Sequence, residues 1–212
     1  MSIRPIKLQS GATPTMEGAG VHLHRVFGFG DTDMFDPFLM MDDFRNDDPE
    51  QYLKGFPWHP HRGIETITYV LKGNVEHADS LGNKGVLSDG DVQWMTAGSG
   101  IIHQEMPTGN AAGQMHGFQL WANLPRDQKM CTPRYQDVKS ADIASLTDDD
   151  GTNIRVIAGD YRGYRGPVDG IDTDPIYLDI AMPANSTRCF PFDTHRQGFA
   201  YILSLIHISE PT

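Results

Sequence analysis

Two short histidine clusters are the residues of this sequence best suited to chemistry. His59 and His61 are separated by one residue, and His103 precedes Glu105 by the same interval. In extended backbone, side chains two residues apart point to the same face, so each pair can present both groups to one ion. Three imidazoles and a carboxylate converge if the two segments are neighbouring strands. Such a donor set, with coordination positions left open, suits a redox-active divalent metal such as Fe(II) better than a closed structural zinc site.

Glycines beside both clusters support this interpretation. Gly63 follows the first pair, and Gly98 and Gly100 precede the second. Glycine lets the backbone turn tightly and leaves space for side chains around a cavity. Glu65 continues the parity of the first pair, so we expect it beside the site. The alternative is that PWHPHRG is an aromatic-rich loop in which the two histidines are adjacent by coincidence.

The remaining histidines have simpler interpretations. His22 and His24 have the same spacing, but no acidic residue follows them and no second cluster with a carboxylate matches them. We interpret that pair as one face of an ordinary strand. His77, His116 and His195 are single, and single histidines are more typical of packed or solvated positions than of metal ligands.

Charge and composition restrict the class of protein. The chain has 212 residues, with 17 Lys and Arg against 28 Asp and Glu, for a formal net charge of −11. An acidic surface repels nucleic-acid phosphates and anionic lipids, so we expect neither nucleic acid nor a membrane as a direct partner. The opening MSIRPIKLQS lacks the apolar segment of a signal peptide, and Cys131 and Cys189 are too few for a disulfide framework. These features predict a cytoplasmic protein with reduced thiols.

The elements that must position the clusters are strands. Glycine and proline number 22 and 14, and short apolar segments such as IETITYVL at residues 64–71 recur roughly every ten residues. This rhythm predicts an all-β fold, a small barrel or sandwich. A polar connector over 125–133 and a linker or short helix over 140–151 interrupt it. Strand-like segments then resume in the C-terminal half: 154–159, 176–182 and 198–202.

Longer motifs around the clusters closely resemble the pirin family. They are GFPWHPHRGIETITYVLKG and GDVQWMTAGSGIIHQEMP, continuing through FQLWANLPRDQKMCTPRYQ and more loosely through IYLDIAMPA. Thr96 stands where cupins at large have proline, which departs from the general pattern and agrees with pirins. The resemblance implies a bicupin, with two cupin barrels (double-stranded β-helices or jelly rolls) in tandem and metal only in the first.

The resemblance also implies a set of ligands. In pirins, the residues that match His59, His61, His103 and Glu105 bind iron. Glu65 corresponds to a glutamate that many other cupins use as a ligand. It is not a ligand in the pirin pattern, so we expect it to support the ligands instead.

Three segments follow from this resemblance. We expect residues 1–130 to form the metal-binding cupin and residues 131–202 to form part of a second cupin, whose barrel is incomplete in this chain. The final LSLIHISEPT, residues 203–212, resembles the translated product of a sequencing-library adapter. We expect it to be a non-native tail that packs poorly, so His207 carries no functional weight. The alternative is that LSLIHIS is an ordinary apolar strand.

Some bacterial pirin-like proteins are described as quercetin 2,3-dioxygenases. The resemblance to them implies Fe(II), or another divalent transition metal, acting with dioxygen to open the heterocyclic ring of a flavonol. Glu105 is then the expected catalytic proton acceptor. An apolar slot for a planar substrate is the hypothesis for four flanking residues, with core packing as the alternative: Trp58, Trp94, Met95 and Met106.

Two other functions remain open at this point. Eukaryotic pirins act as iron-dependent partners of transcription regulators, so the same ligands could serve a non-enzymatic redox sensor that binds a protein. Another enolisable oxygen compound could also replace the flavonol, because specificity in cupins depends on the shape of the pocket.

Overall fold

The structure is a computed structural model, and it describes residues 3–193 and 195–204. Within them the chain forms sixteen strands, one short α-helix, α1 (Thr32–Phe35), and three 3₁₀ turns (Phe29–Asp31, Pro49–Gln51 and Ser140–Asp142). The strands in chain order are β1 (Thr13–Glu17), β2 (Val21–Phe27), β3 (Phe38–Asp43), β4 (Phe56–His61), β5 (Ile64–Lys72), β6 (Val75–Asp79), β7 (Lys84–Leu87), β8 (Val92–Thr96), β9 (Ile101–Pro107), β10 (His116–Asn123), β11 (Arg134–Val138), β12 (Ala144–Thr147), β13 (Asn153–Ala158), β14 (Asp160–Tyr161), β15 (Tyr164–Arg165) and β16 (Tyr177–Ala181).

Two antiparallel sheets face each other and build the first half of the molecule. The large sheet has the order β1-β2-β3-β10-β5-β8-β11, and the small sheet has the order β4-β9-β6-β7. The second half contributes a three-stranded sheet, β12-β13-β16, and the hairpin β14-β15. The all-β expectation is therefore confirmed. No helix in the described part of the chain is long and apolar enough to cross a membrane.

Alternation along β9 explains why the second cluster points inward. Ile101, His103 and Glu105 are buried, whereas Ile102, between the first two, is exposed. Because successive side chains of a strand point to opposite faces, both potential ligands enter the space between the two sheets. The local pattern of the sequence thus determines which groups face the interior.

The large sheet is covered on both of its faces. One face meets the small sheet, and an apolar floor closes one end of the space between them. That floor comprises Val21, Leu23, Phe44, Tyr52, Val70, Val75, Leu87 and Met115. On the other face, Ile67, Trp94 and Leu120 pack against Ile157 and Val168 from the C-terminal half. Burial of each such side chain contributes about 1.5–3 kcal/mol, so the C-terminal half stabilises the sheet that supports the site.

The connection between the halves differs in detail from the expectation. β11 pairs with β8 from Arg134↔Thr96 to Val138↔Val92, so hydrogen bonding of the large sheet extends past residue 130. The boundary at 130/131 and the partial second cupin over 131–202 remain predictions. The linker or short helix expected over 140–151 contains a 3₁₀ turn, Ser140–Asp142, and in addition the strand β12.

The strand expected at 198–202 is wrong, because this segment carries no strand. Aromatic packing against the first half holds it instead. Phe199 contacts the rings of Phe27, Phe35 and Phe38 at centroid distances of 5.1–5.7 Å. The Tyr201 hydroxyl also donates to a carboxylate oxygen of the large sheet.

The expected poor packing does not begin at Leu203, which is half-buried against the first core. Residues 205–212, including His207, lie outside the described residues. The non-native origin of residues 203–212 therefore stays a prediction.

Asp91 fastens the chain that follows β11 to the large sheet. Its buried carboxylate accepts hydrogen bonds from Lys139 Nζ at 2.7 Å, from the Ser140 amide at 2.8 Å and from the Ser88 amide at 3.0 Å. Burial alone would raise the pKa of Asp91, but the Lys139 ammonium and the two amides outweigh it and hold that pKa below its ordinary value.

We predict that Asp91→Asn destabilises the protein in a pH-dependent way. A carboxylate whose pKa is lower in the folded state contributes stability above its unfolded pKa of about 4, and this contribution is lost as pH falls through the folded pKa. We expect urea unfolding to show a loss of about 1–3 kcal/mol at pH 7 that shrinks below pH 4. The exposed Asp127→Asn is the control. A pH-independent loss in Asp91→Asn would contradict the role of the charge.

Candidate metal centre

Three imidazoles meet between the two sheets. The ligand nitrogens of His59, His61 and His103 all lie within 4.8 Å of one another, and no other trio of potential metal ligands is found in the described part of the chain. The His59 and His61 Nε2 atoms are 3.0 Å apart. Ring centroids are separated by 4.5–4.9 Å. The structure therefore brings together the three histidines that the sequence selected.

Strand register produces this convergence. β4 and β9 are antiparallel neighbours, with His59 opposite His103 and Phe56 opposite Glu105. One extra residue of β4 lies between these two pairs, which is the count of a β-bulge. The bulge re-aims the strand so that His59 and His61, after it, both face the interior.

Glu105 lies beside the trio and slightly deeper in the barrel. Its Oε2 is 3.9 Å from His103 Nε2, and its side chain is almost fully buried. Its Oε1 accepts a hydrogen bond of 2.7 Å from the Thr68 hydroxyl on β5. Glu105 thus lies next to His103, but its oxygens do not belong to the set of donor atoms that lie within 4.8 Å of one another. Its role as the fourth ligand stays a prediction.

Hydrogen bonding and burial favour imidazoles that are ready to bind a cation. His59 Nδ1 is 2.9 Å from the Pro57 carbonyl oxygen, to which it can donate, and this tautomer leaves the Nε2 lone pair facing the cluster. Burial, together with His103 and His59, lowers the pKa of His61 to about 3. Burial also lowers the pKa of His103 and outweighs the opposing effect of Glu105. Neutral imidazole is the form that binds a metal.

The donor atoms fit a divalent transition metal. Two nitrogens bound at about 2.1 Å and at right angles to each other would be roughly 3.0 Å apart, which matches the separation of the His59 and His61 Nε2 atoms. His103 is 1% exposed, and neither of its ring nitrogens has a hydrogen-bond partner within the described structure. Leaving such a group unpaired costs about 1–3 kcal/mol, and a shared cation would offset that cost.

Glu65 does not join the site. Its carboxylate accepts a 2.7 Å hydrogen bond from Thr96, and both residues lie on the face of the large sheet that meets the C-terminal half. The expected position of Glu65 beside the site is wrong because the backbone turns at Gly63, with φ +69°, between β4 and β5, and side-chain alternation does not continue through this turn. Burial raises the pKa of Glu65, although Thr96 opposes this effect.

The slot predicted from four flanking residues is also largely wrong. Trp94 packs in the core on the far face of the large sheet, and Met106 points to the opposite face of β9 from Glu105. Trp58 is 53% exposed and alternates with His59. Met95 is buried in a small cluster with Ile101 and so remains in the interior.

Two other aromatic residues lie beside the histidine cluster. The ring of Trp121 on β10 meets His61 edge-on at 4.9 Å, and Phe29 meets Trp121 at 5.9 Å. Phe29 is 61% exposed, so this pair connects the cluster with the surface. Sequence reasoning missed Trp121, although its alternation with Leu120 along β10 was a usable signal.

The other histidines lie apart from the trio. His22 and His24 are exposed on β2, and His195 is exposed near the end of the chain. His116 packs edge-on against Phe118 in the large sheet. His77 is buried on β6 opposite Glu105, within the barrel but outside the trio.

Two facing antiparallel sheets that enclose a cluster of histidines define a barrel of the cupin class with a candidate metal site. The family model described as Pirin matches residues 20–122. A pirin-like protein of Caulobacter vibrioides is 46% identical over 187 residues, 88% of this chain and 67% of that protein. Pirin of Rattus norvegicus is 40% identical over 189 residues, 89% of this chain and 62% of that protein. The chain belongs to the pirin family.

A solved structure agrees with this assignment. The crystal structure of a quercetin 2,3-dioxygenase from Acinetobacter baumannii matches 76% of this chain and 58% of its own, with a TM-score of 0.67 and 35% identity. The expected cupin fold is confirmed. The chain spans about two thirds of the length of its curated relatives.

We predict that the double variant His59→Ala, His61→Ala loses its bound metal. Two of the three converging nitrogens disappear, and a lone imidazole with one carboxylate binds a divalent ion weakly. Elemental analysis after anaerobic loading and desalting measures the ratio of metal to protein. The matched control, His22→Ala with His24→Ala, removes a pair of identical spacing from an exposed strand and should keep about one ion per chain. Full occupancy in the His59, His61 variant would show that the metal binds elsewhere.

Proposed function

We propose that this chain carries the metal centre of an iron-dependent dioxygenase that opens the heterocyclic ring of a flavonol such as quercetin. The main support is the convergence of three imidazoles, with the Glu105 carboxylate next to His103. Aromatic residues connect this cluster with the surface. The similarity to a structure described as a quercetin 2,3-dioxygenase supports the same reaction.

His59, His61, His103 and Glu105 would hold the iron. Bound there, Fe(II) would supply a redox-active centre with about two of six coordination positions open for exogenous ligands. The surrounding chain supplies the dry, shaped environment. His61 and His103 are 8% and 1% exposed, so water has little access to the back of the site.

Glu105 is the group suited to moving the substrate proton. One of its oxygens is held by Thr68, and the other lies 3.9 Å from His103 Nε2, beside the place where the 3-hydroxyl of a flavonol would enter. Taking that proton leaves an electron-rich flavonolate that reacts with dioxygen. Both atoms of dioxygen enter the ring-opened ester, the carbon that bore the hydroxyl leaves with its own oxygen as carbon monoxide, and the proton returns to the product. No external reductant is required.

Trp121 and Phe29 are suited to receiving a planar aromatic ligand. Their rings meet edge-on, and Trp121 also contacts the edge of His61. Aromatic faces bind a flat ring by burial and offset stacking, which would orient a flavonol with its oxygens toward the metal ligands.

The regulatory alternative uses the same ligands without turnover. An iron-binding sensor that acts through a protein partner needs no proton acceptor at Glu105 and no pocket for a flavonol. Kinetics on the iron-loaded protein therefore distinguish the two functions.

We predict that Glu105→Gln slows flavonol turnover by about 10²–10⁴, the range typical for loss of a general base. Glutamine keeps an oxygen ligand but cannot accept the proton. Anaerobic addition of quercetin to the iron-loaded protein should shift the flavonol absorption, and admission of oxygen should consume the flavonol with release of carbon monoxide. Glu76→Gln, the same change on the exposed outer face of β6, is the control.

Two results would count against this function. A Glu105→Gln variant that turns over as fast as Glu76→Gln would remove the proposed role of the carboxylate. If iron-loaded protein neither shifts the absorption of any flavonol nor takes up oxygen with it, the regulatory alternative is favoured.

A further inference from the structure

A row of polar side chains runs across the large sheet below the imidazoles, buried at Thr68 and Gln93, half-buried at Gln119 and exposed at its outer end. Gln119, Thr68, Gln93 and Asp137 stand directly opposite one another on the four adjacent strands β10, β5, β8 and β11. We call these four residues the polar belt. Gln93 donates to Asp137 at 2.9 Å, and the Thr68 hydroxyl lies 2.8 Å from the Gln119 side-chain oxygen. The belt separates the metal ligands from the apolar floor.

The belt reaches the metal ligands through one hydrogen bond. Thr68 Oγ1 is 2.7 Å from Glu105 Oε1, and Thr68 is 3% exposed. A hydroxyl carries one proton, so Thr68 can donate to only one of its two neighbours. A carboxylate has no proton to give, whereas the Gln119 amide can turn to donate its N–H. The chain of donors therefore runs from Gln119 to Thr68 to Glu105.

This chain distinguishes the two oxygens of Glu105. Oε1 is anchored by Thr68 on β5, whereas Oε2 is the oxygen found 3.9 Å from His103 Nε2. A small cavity of about 20 Å³ also borders Glu105, Thr68 and Gln119. A carboxylate released from Thr68 would have space to rotate there.

We propose that Thr68 is a positioning residue that holds Glu105 as a one-oxygen ligand through Oε2. With Oε1 occupied by the hydroxyl, the carboxylate does not close a further coordination position by binding through both oxygens. That position stays available for an exogenous ligand. This inference rests on the metal assignment of the proposed function, and it concerns coordination rather than turnover.

The first test is the binding of Co(II), whose visible absorption reports coordination geometry, to the full chain without flavonol or oxygen. Thr68→Val keeps the shape of the side chain and removes the hydroxyl. We expect its metal affinity to fall by about 10- to 100-fold, as is typical when a partner of a metal ligand is lost, and its Co(II) spectrum to change. Thr68→Ser keeps the hydroxyl and should restore both affinity and spectrum.

Thr66→Val is the matched control. It makes the same change two residues earlier on the same face of β5, at a residue that is 2% exposed. Gln119→Leu provides a second variant if Thr68→Val does not fold, as checked by circular dichroism. It removes the donor behind Thr68 and should shift the affinity and spectrum in the same direction.

These experiments distinguish failure of the inference about Thr68 from failure of the proposed function. The inference is overturned if Thr68→Val, or Gln119→Leu in its place, matches Thr66→Val in both affinity and spectrum. It is also overturned if Thr68→Ser fails to restore the spectrum. Loss of flavonol turnover with normal Co(II) behaviour would contradict the proposed function instead.

Discussion

The burial of one carboxylate beside three converging imidazoles is the constraint on which the rest of this structure depends. Glu105 is 6% exposed, and an isolated buried charge costs several kcal/mol unless it is paired. The Thr68 hydroxyl offsets part of this cost from one side. A cation shared with the imidazoles would offset more of it from the other side and would also give one ring nitrogen of His103 a partner. The stability of the site therefore depends on both the Thr68 hydroxyl and the shared cation.

The fold places apolar and polar side chains in successive layers of the barrel interior, and this arrangement makes the buried carboxylate possible. The apolar floor closes one end, the polar belt lies above it, and the imidazoles lie above the belt, next to the aromatic pair of Trp121 and Phe29. The large sheet can supply the belt because its other face is packed against the C-terminal half. Asp91 and the aromatic contacts of Phe199 attach that half to the first. Residues far from the candidate ligands thus help to determine the distances between them.

Local alternation made part of this site predictable. The pairs His59–His61 and His103–Glu105 each lie within one strand, so a spacing of two residues was sufficient to place each pair on one face. Contacts between sheets were not predictable, because they depend on register that the sequence does not display. Thr68 is the example, since nothing near it in the chain indicates that it meets Glu105. The position of Glu65 was predicted wrongly for a related reason, because the turn at Gly63 separates it from His59 and His61.

The most direct test of the central claim is anomalous diffraction at the iron edge from crystals of the iron-loaded protein. We predict one strong peak, at about 2.0–2.2 Å from a ring nitrogen of each of His59, His61 and His103 and from Oε2 of Glu105. Thr68 should still donate to Oε1 in that structure. A peak at another place in the chain, or no peak between the three imidazoles despite full iron content in the crystals, would contradict this claim.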